Sequence, residues 1–139
     1  MKGGGEAAAG RICALCFEQH GLAVETWRAA DRVEARLSGV AEISTGDRLV
    51  KYLDELHRWL ADDGASQVIM DLTRLERMNT ACLRSFVSWI QRLRELPRGA
   101  QYRVCFRSNS QLPWQRRSMD ALKCFATDLI SVEPTDLLQ

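Results

Sequence analysis

The stretch Val68–Leu96, VIMDLTRLERMNTACLRSFVSWIQRLREL, restricts the folds open to this chain more than any other part of it. It opens with three consecutive apolar residues, Val68, Ile69 and Met70, closed by Asp71. A run that is apolar at every position, rather than at every second one, suits an interior strand of a sheet, and a parallel strand reached by a crossover helix occupies such a place. After a short polar connection, Thr80 heads a segment in which Leu83, Phe86, Val87, Ile90 and Leu93 recur at helical spacing, and Pro97 with Gly99 ends it. The stretch therefore reads as a buried strand, a loop presenting a hydroxyl, and an amphipathic helix. With that stripe facing inward, Arg84, Ser85, Ser88, Trp89, Gln91 and Arg92 are expected partly or fully outside.

The flanking sequence supplies the rest of an α/β sheet. Leu22, Val24 and Thr26 alternate with Ala23, Glu25 and Trp27, and Val33, Ala35 and Leu37 with Arg32, Glu34 and Arg36, the pattern of a β-hairpin with one covered face. Ser44 followed by Asp47 is a helix-start pattern, and Leu49, Leu53, Leu56 and Leu60 then share one helical face up to a stop at Gly64. His57 lies beside that stripe and reads as structural. Tyr102, Val104 and Phe106 alternate in a further strand; Pro113, Met119 and Leu122, with Phe125 or Ala126, mark a third helix, and Ile130 and Val132 a last short strand before Pro134. The order ββαβαβαβ, joined by right-handed crossovers, gives a mostly parallel sheet of four to five strands with an antiparallel N-terminal hairpin and three to four helices.

At 139 residues and 46% hydrophobic, the chain has the size of one domain able to bury its own core. That domain is expected over residues 21–134, after a flexible or lightly packed extension at 1–20 and before a short tail at 135–139. Net charge is only +1, which argues against a nucleic-acid binder working through a strong overall field. The charge is unevenly spread. Residues 1–73 hold 8 Lys/Arg and 12 Asp/Glu, net −4, whereas residues 74–139 hold 11 and 6, net +5, which suits an acidic partner surface or a bound anion on the second half.

Five cysteines, an odd number, with three of them inside apolar or periodic segments, suit a reducing cytoplasm. Cys13-x-x-Cys16 with His20 is half of a zinc pattern or a redox pair, but the second half of a four-ligand set is missing nearby, and a lightly packed extension is the reading adopted. No metal or cofactor is expected. No apolar run approaches the roughly 18 to 20 residues of a membrane span, and there is no secretory leader pattern, so the expected location is the cytoplasm. A Gly-rich phosphate loop, HExxH and GxSxG are all absent, and no catalytic residue is assigned.

The strand Val68-Ile69-Met70-Asp71-Leu72, followed by Met78-Asn79-Thr80-Ala81-Cys82-Leu83, resembles the STAS domain, the fold of anti-sigma-factor antagonists and of sulphate-transporter tails, over roughly Leu22 to Glu133. In that family the second segment typically reads Asp-Ser-Ser-Gly-Leu, its second Ser being phosphorylated by a partner serine kinase. Here Asn79 replaces the Asp, Thr80 the first Ser, Ala81 the usual acceptor and Cys82 the Gly. The resemblance implies either a switch held in an unphosphorylated-like state, a constitutive adaptor, or a transfer of the acceptor role to Thr80. Asn-Thr at this place also resembles the STAS-like SiaC branch, where a threonine is phosphorylated and the partner is a diguanylate cyclase. Leu112-Pro113-Trp114-Gln115 resembles a further bacterial STAS-like branch.

A non-catalytic regulatory module is thus expected. It would bind a serine/threonine kinase of the anti-sigma type, a phosphatase, or an output regulator such as a cyclase, and neither nucleic acid nor membrane. Its contact residues would be Asn79, Arg84, Ser85, Ser88, Trp89 and Arg92, with Thr80 as phosphorylation candidate or ordinary helix cap. Trp and Arg are enriched at interface centres, which is what singles out Trp89. Trp114, Arg116 and Arg117 either extend this patch or hold an anion, with Trp114 packing at the start of its helix as the plainer option. The alternative from another class is a domain that senses a small anion or nucleotide at the basic helix starts.

Overall fold

The computed structural model describes residues 10–135. Residues 1–9 of the extension expected at 1–20, and residues 136–139 of the tail expected at 135–139, lie outside the described residues, while Thr135 belongs to the last strand. The elements run β1 (Gly10–Arg11), a 3-10 turn (Cys13–Leu15), β2 (Phe17–Gln19), β3 (Leu22–Ala29), β4 (Arg32–Ala41), α1 (Ile43–Asp63), β5 (Gln67–Met78), α2 (Thr80–Glu95), a second 3-10 turn (Arg98–Ala100), β6 (Arg103–Asn109), α3 (Pro113–Phe125) and β7 (Ile130–Thr135). The strands form one sheet in the order β1-β3-β4-β5-β6-β7, with β2 also pairing β3. β3 and β4 are antiparallel, whereas β4, β5, β6 and β7 are mutually parallel.

The three parallel crossovers all step the same way across the sheet. With one handedness they put all three helices on the same face, and a single core joins that face to α1, α2 and α3. The alternation expected in the hairpin holds: Leu22, Val24, Thr26, Val33, Ala35 and Leu37 are all buried. So does the α1 stripe, with Leu49, Leu53, Leu56 and Leu60 buried and Gly64 closing the helix at φ 79°. Fully burying a leucine side chain contributes about 1.5–3 kcal/mol, so this face alone fixes α1 on the sheet.

The opposite face of the sheet bears no helix among the described residues. Arg107 sits there between Glu34 at 3.8 Å and Glu133 at 3.3 Å, Arg36 approaches Asp71 at 3.9 Å, and the Arg36 guanidinium lies 5.1 Å from the Trp27 ring centre. Ile69, paired with Glu34 on one side and Cys105 on the other, is nonetheless buried. The fully apolar run of β5 thus reflects a central strand whose second face is covered by long charged side chains rather than by a second helical layer.

Several local expectations change. Residues 10–19 do not lie loosely beside the domain: β1 and β2 both pair with β3, and Leu15 between them is buried. The Thr26 hydroxyl donates to the Leu15 carbonyl at 2.6 Å, which leaves its oxygen to accept from the buried Tyr52 hydroxyl at 2.9 Å. α1 begins one residue before Ser44, and its start is closed by Thr45, whose Oγ1 accepts from the Glu42 N–H at 3.0 Å. β4 runs on past the alternation that ends at Leu37, through Ser38 and Gly39 to Ala41. Gly39 has φ 95°, and a Cβ on it would run into the Gly21 carbonyl oxygen, which accepts from the Val40 N–H at 3.0 Å. β7 passes through Pro134, which an edge strand tolerates.

A candidate partner-binding site at the start of α2

β5 delivers the chain to the end of the sheet at Met78, opposite Ala41 of β4. The Asn79 N–H donates to the Ala41 carbonyl at 2.9 Å, and the Asn79 Oδ1 accepts from the Cys82 N–H at 2.8 Å. Asn79 is therefore the N-cap of α2, and it satisfies one of the helix's unpaired donors. Thr80 is consequently free of the capping role. It is exposed as the first residue of the helix, and its hydroxyl makes no hydrogen bond among the described residues. Ala81 beside it is also exposed, while Cys82 is buried with its Sγ donating to the Glu42 carbonyl at 3.5 Å. Burial pushes the Cys82 thiol pKa up, against an opposing effect of its hydrogen bond with Thr45. Cys82 acts as a small hydrophobe in the core.

Along the rest of α2 the expected contact residues separate. Arg84 and Ser88 are exposed on the same side as Thr80, at successive four-residue steps. Ser85 is half-buried, and its hydroxyl donates back to the Ala81 carbonyl at 3.2 Å. Arg92 reaches Asp54 of α1 at 2.6 Å, so its charge joins two helices.

Trp89 is a correction. Expected outside, it is fully buried, with its Nε1 donating to the Tyr102 hydroxyl at 2.8 Å. Tyr102 Oη also lies 2.7 Å from His57 Nδ1. Since the indole can only donate, the phenol proton is left for His57 Nδ1, which acts as acceptor. The pKa of His57 is lowered by its burial first and by Arg92 second, with Asp54 opposing, which agrees with a neutral imidazole in this chain of bonds. Burial raises the Tyr102 pKa, against smaller opposing effects of Trp89 and Arg92. The buried row of α2 is Cys82, Phe86, Trp89 and Leu93 with Ile90, while Leu83 and Val87 flank it, half-buried.

α3 brings its first turn to the same end of the sheet as Thr80. Gln115 is buried there, accepting from the Asn109 N–H at 2.7 Å and donating to the Leu72 and Leu75 carbonyls at 2.7 and 2.9 Å. This three-way bond sets Trp114 against β5, where its Nε1 donates to the Glu76 carbonyl at 2.7 Å. Trp114, Val40, Met78 and Asn79, with Glu42 and Arg77, line a cavity of about 400 Å³. Next to Glu42, Ile43 is 84% exposed. Trp114 thus joins the Asn79–Thr80 loop. Arg116 and Arg117 do not accompany it: both are exposed, and Arg116 lines a separate cavity with Asn109 and Asp120.

Val40, Ile43 and Met78 are not among the contact residues expected from the sequence, although Val40 and Met78 line this cavity and Ile43 is exposed next to it in the chain. The available signal was Ile43 itself, a bulky apolar residue six positions before Leu49 and so out of phase with the buried stripe of α1. Cys13, Cys16 and His20 do not assemble a ligand set. Among the described residues no group of three or more His, Cys, Asp or Glu is placed to hold a metal ion. Cys16 Sγ instead donates to the Ile12 carbonyl at 3.3 Å. No helix among the described residues is long and apolar enough to cross a membrane.

No family model matches the chain, and no curated protein matches it. Among solved structures, the chain is similar to an anti-sigma factor antagonist from Mycobacterium paratuberculosis, with a TM-score of 0.54 and 11% identity over 93% of this chain and 88% of that one. At that identity the similarity is one of fold, and the fold it supports is the mixed α/β, STAS-like arrangement of a mostly parallel sheet and three helices.

Proposed function

We infer that the chain is a non-catalytic protein-interaction module whose partner docks at the end of the sheet where α2 begins. One observation carries the reading. Asn79, Val40, Met78 and Trp114 line a cavity, the exposed and unbonded hydroxyl of Thr80 follows Asn79 directly in the chain, and the exposed Ile43 follows Glu42, another lining residue. A cavity of that kind takes an apolar side chain from a partner, and the polar edge of Asn79, Thr80 and Arg84 supplies directional contacts around it. The partner class in keeping with the fold similarity is a regulatory protein, such as a kinase, a phosphatase or an output regulator.

Thr80 is the candidate for phosphorylation. A phosphate there would meet unpaired backbone N–H groups and the positive end of the α2 dipole, so the fold would accept it. The partner would instead meet a charge of roughly −1.5 to −2 in a previously neutral contact. A second reading, a constitutive adaptor, is favoured by Ala81, exposed without a hydroxyl at the place of the usual acceptor.

Site-mapping mass spectrometry on protein from its native cells separates the two, a phosphate at Thr80 supporting the switch and its lasting absence the adaptor. Both readings require a partner that co-purifies with the wild-type chain and is lost with Ile43→Asp. A partner set unchanged by Ile43→Asp and by Thr80→Glu would overturn the proposed surface.

A further inference from the structure

At the far end of α2 from Thr80 lies a cavity of about 490 Å³, formed where the helix ends and β6 begins. Sixteen residues at 1.5 Å rise put it roughly 24 Å along the helix axis from the surface described above. Three arginines line it from three different elements: Arg94 from the last turn of α2, Arg98 from the 3-10 turn, and Arg103 from the first position of β6. Against them stands one carboxylate, Asp128, whose Oδ1 lies 3.5 Å from Arg94 Nη1.

Complementing the negative end of the α2 dipole accounts for Arg94. It does not account for Arg98 and Arg103, which lie beyond the helix and have no carboxylate partner among the described residues. The cavity walls are firmly held. Gln101 donates from Nε2 to the Arg94 and Leu96 carbonyls at 3.2 and 3.1 Å, which satisfies the end of α2. Tyr102, buried with its hydroxyl between Trp89 and His57, anchors the inner wall.

We propose that this cavity is a binding site for a compact multivalent phosphate anion, a diphosphate or the diphosphate portion of a larger metabolite. Guanidinium groups match phosphate oxygens in paired, charge-assisted hydrogen bonds, and three arginines lining one cavity give a local positive charge that Asp128 only partly offsets. The chemistry of the walls selects against an extended apolar or aromatic ligand. Leu129 is the apolar side chain facing the cavity, and the Tyr102 ring is buried, leaving no open aromatic face on which a base could stack. Bound phosphate would take Arg94 from Asp128, so that carboxylate sets the affinity from below.

The test is calorimetric titration of the full chain with inorganic pyrophosphate. The site predicts saturable one-to-one binding. Arg98→Gln and Arg103→Gln should each weaken it about ten-fold, the size of one charge-assisted contact, and Asp128→Asn should tighten it. All three positions are exposed, so the variants should fold, and unchanged thermal melting verifies that. Thr80→Glu should leave the titration unchanged, which separates this site from the partner surface. No binding by the wild-type chain overturns the proposal. So does an equal loss from the control Arg116→Gln/Arg117→Gln, which would mean diffuse charge rather than a site. Binding of a glutamate-rich peptide in place of pyrophosphate would overturn it in favour of an acidic protein segment.

Discussion

Trp89 and Tyr102 are joined in the core by a 2.8 Å hydrogen bond from the indole N–H to the phenol oxygen, and that bond decides which face of α2 looks outward. It turns the buried row onto Cys82, Phe86, Trp89 and Leu93, whose 4-3-4 spacing matches Leu49, Leu53, Leu56 and Leu60 of α1. Trp89→Phe should therefore destabilise the protein by about 1–3 kcal/mol, from lost volume and a phenol left without its donor. The effect should appear as a lower urea midpoint. Partner retention by the folded variant should not change, because Trp89 reaches no surface.

The same chain of bonds ends on His57, and it predicts a pH dependence of stability. The folded state holds the imidazole neutral, with a pKa below the usual 6.5, so the unfolded chain takes up the proton first as pH falls. Stability from this group is therefore complete above about 6.5 and declines as pH drops below it, levelling off at the lower folded-state value. Urea unfolding between pH 7.5 and 5 should show that decline in the wild type, and His57→Gln should flatten it.

Gln115 holds together the end of the sheet that carries the candidate partner surface. Gln115→Ala should leave the buried Leu72 and Leu75 carbonyls and the Asn109 N–H without their partner. A loss of about 2–4 kcal/mol is expected in equilibrium unfolding. Faster hydrogen exchange at the Asn109 amide is the local sign.

Much of this architecture is legible in the sequence where a pattern runs long enough to count. Leu22 to Leu37 alternate and the α1 leucines repeat over three turns, so the hairpin and the helix follow from spacing alone. β1 and β2 have two and three residues, too few for any alternation, and they exist because β3 offers them an edge to pair with. The rotation of α2 is hidden in the sequence because Trp89 carries a polar atom and its partner Tyr102 lies beyond the helix, just before β6. At the candidate site, Asn79 and Thr80 are readable as a helix start. The cavity is not, because Val40, Met78 and Trp114 meet only through the sheet order and the Gln115 bonds.

Gly39 shows a constraint of the same non-local kind. Its positive φ and the Gly21 carbonyl against its Cα leave no room for a side chain. Gly39→Ala should destabilise by several kcal/mol, about 2–4, since the clash is with backbone and the conformation is itself unfavourable for alanine. Gly21→Ala has space at its Cβ and carries the conformational penalty alone, so thermal melting should rank Gly39→Ala as the worse of the two.

The end of the sheet around Thr80, Ile43 and Trp114 is the proposed docking place of a protein partner. A photo-crosslinking residue placed at Ile43 in native cells tests it most directly, with the same residue at Ser131, exposed on β7 toward the opposite end of the sheet, as comparison. One discrete protein adduct is expected from position 43, abolished by Thr80→Glu, and none from position 131. An adduct from position 131 alone, or one from position 43 that Thr80→Glu leaves intact, would contradict it.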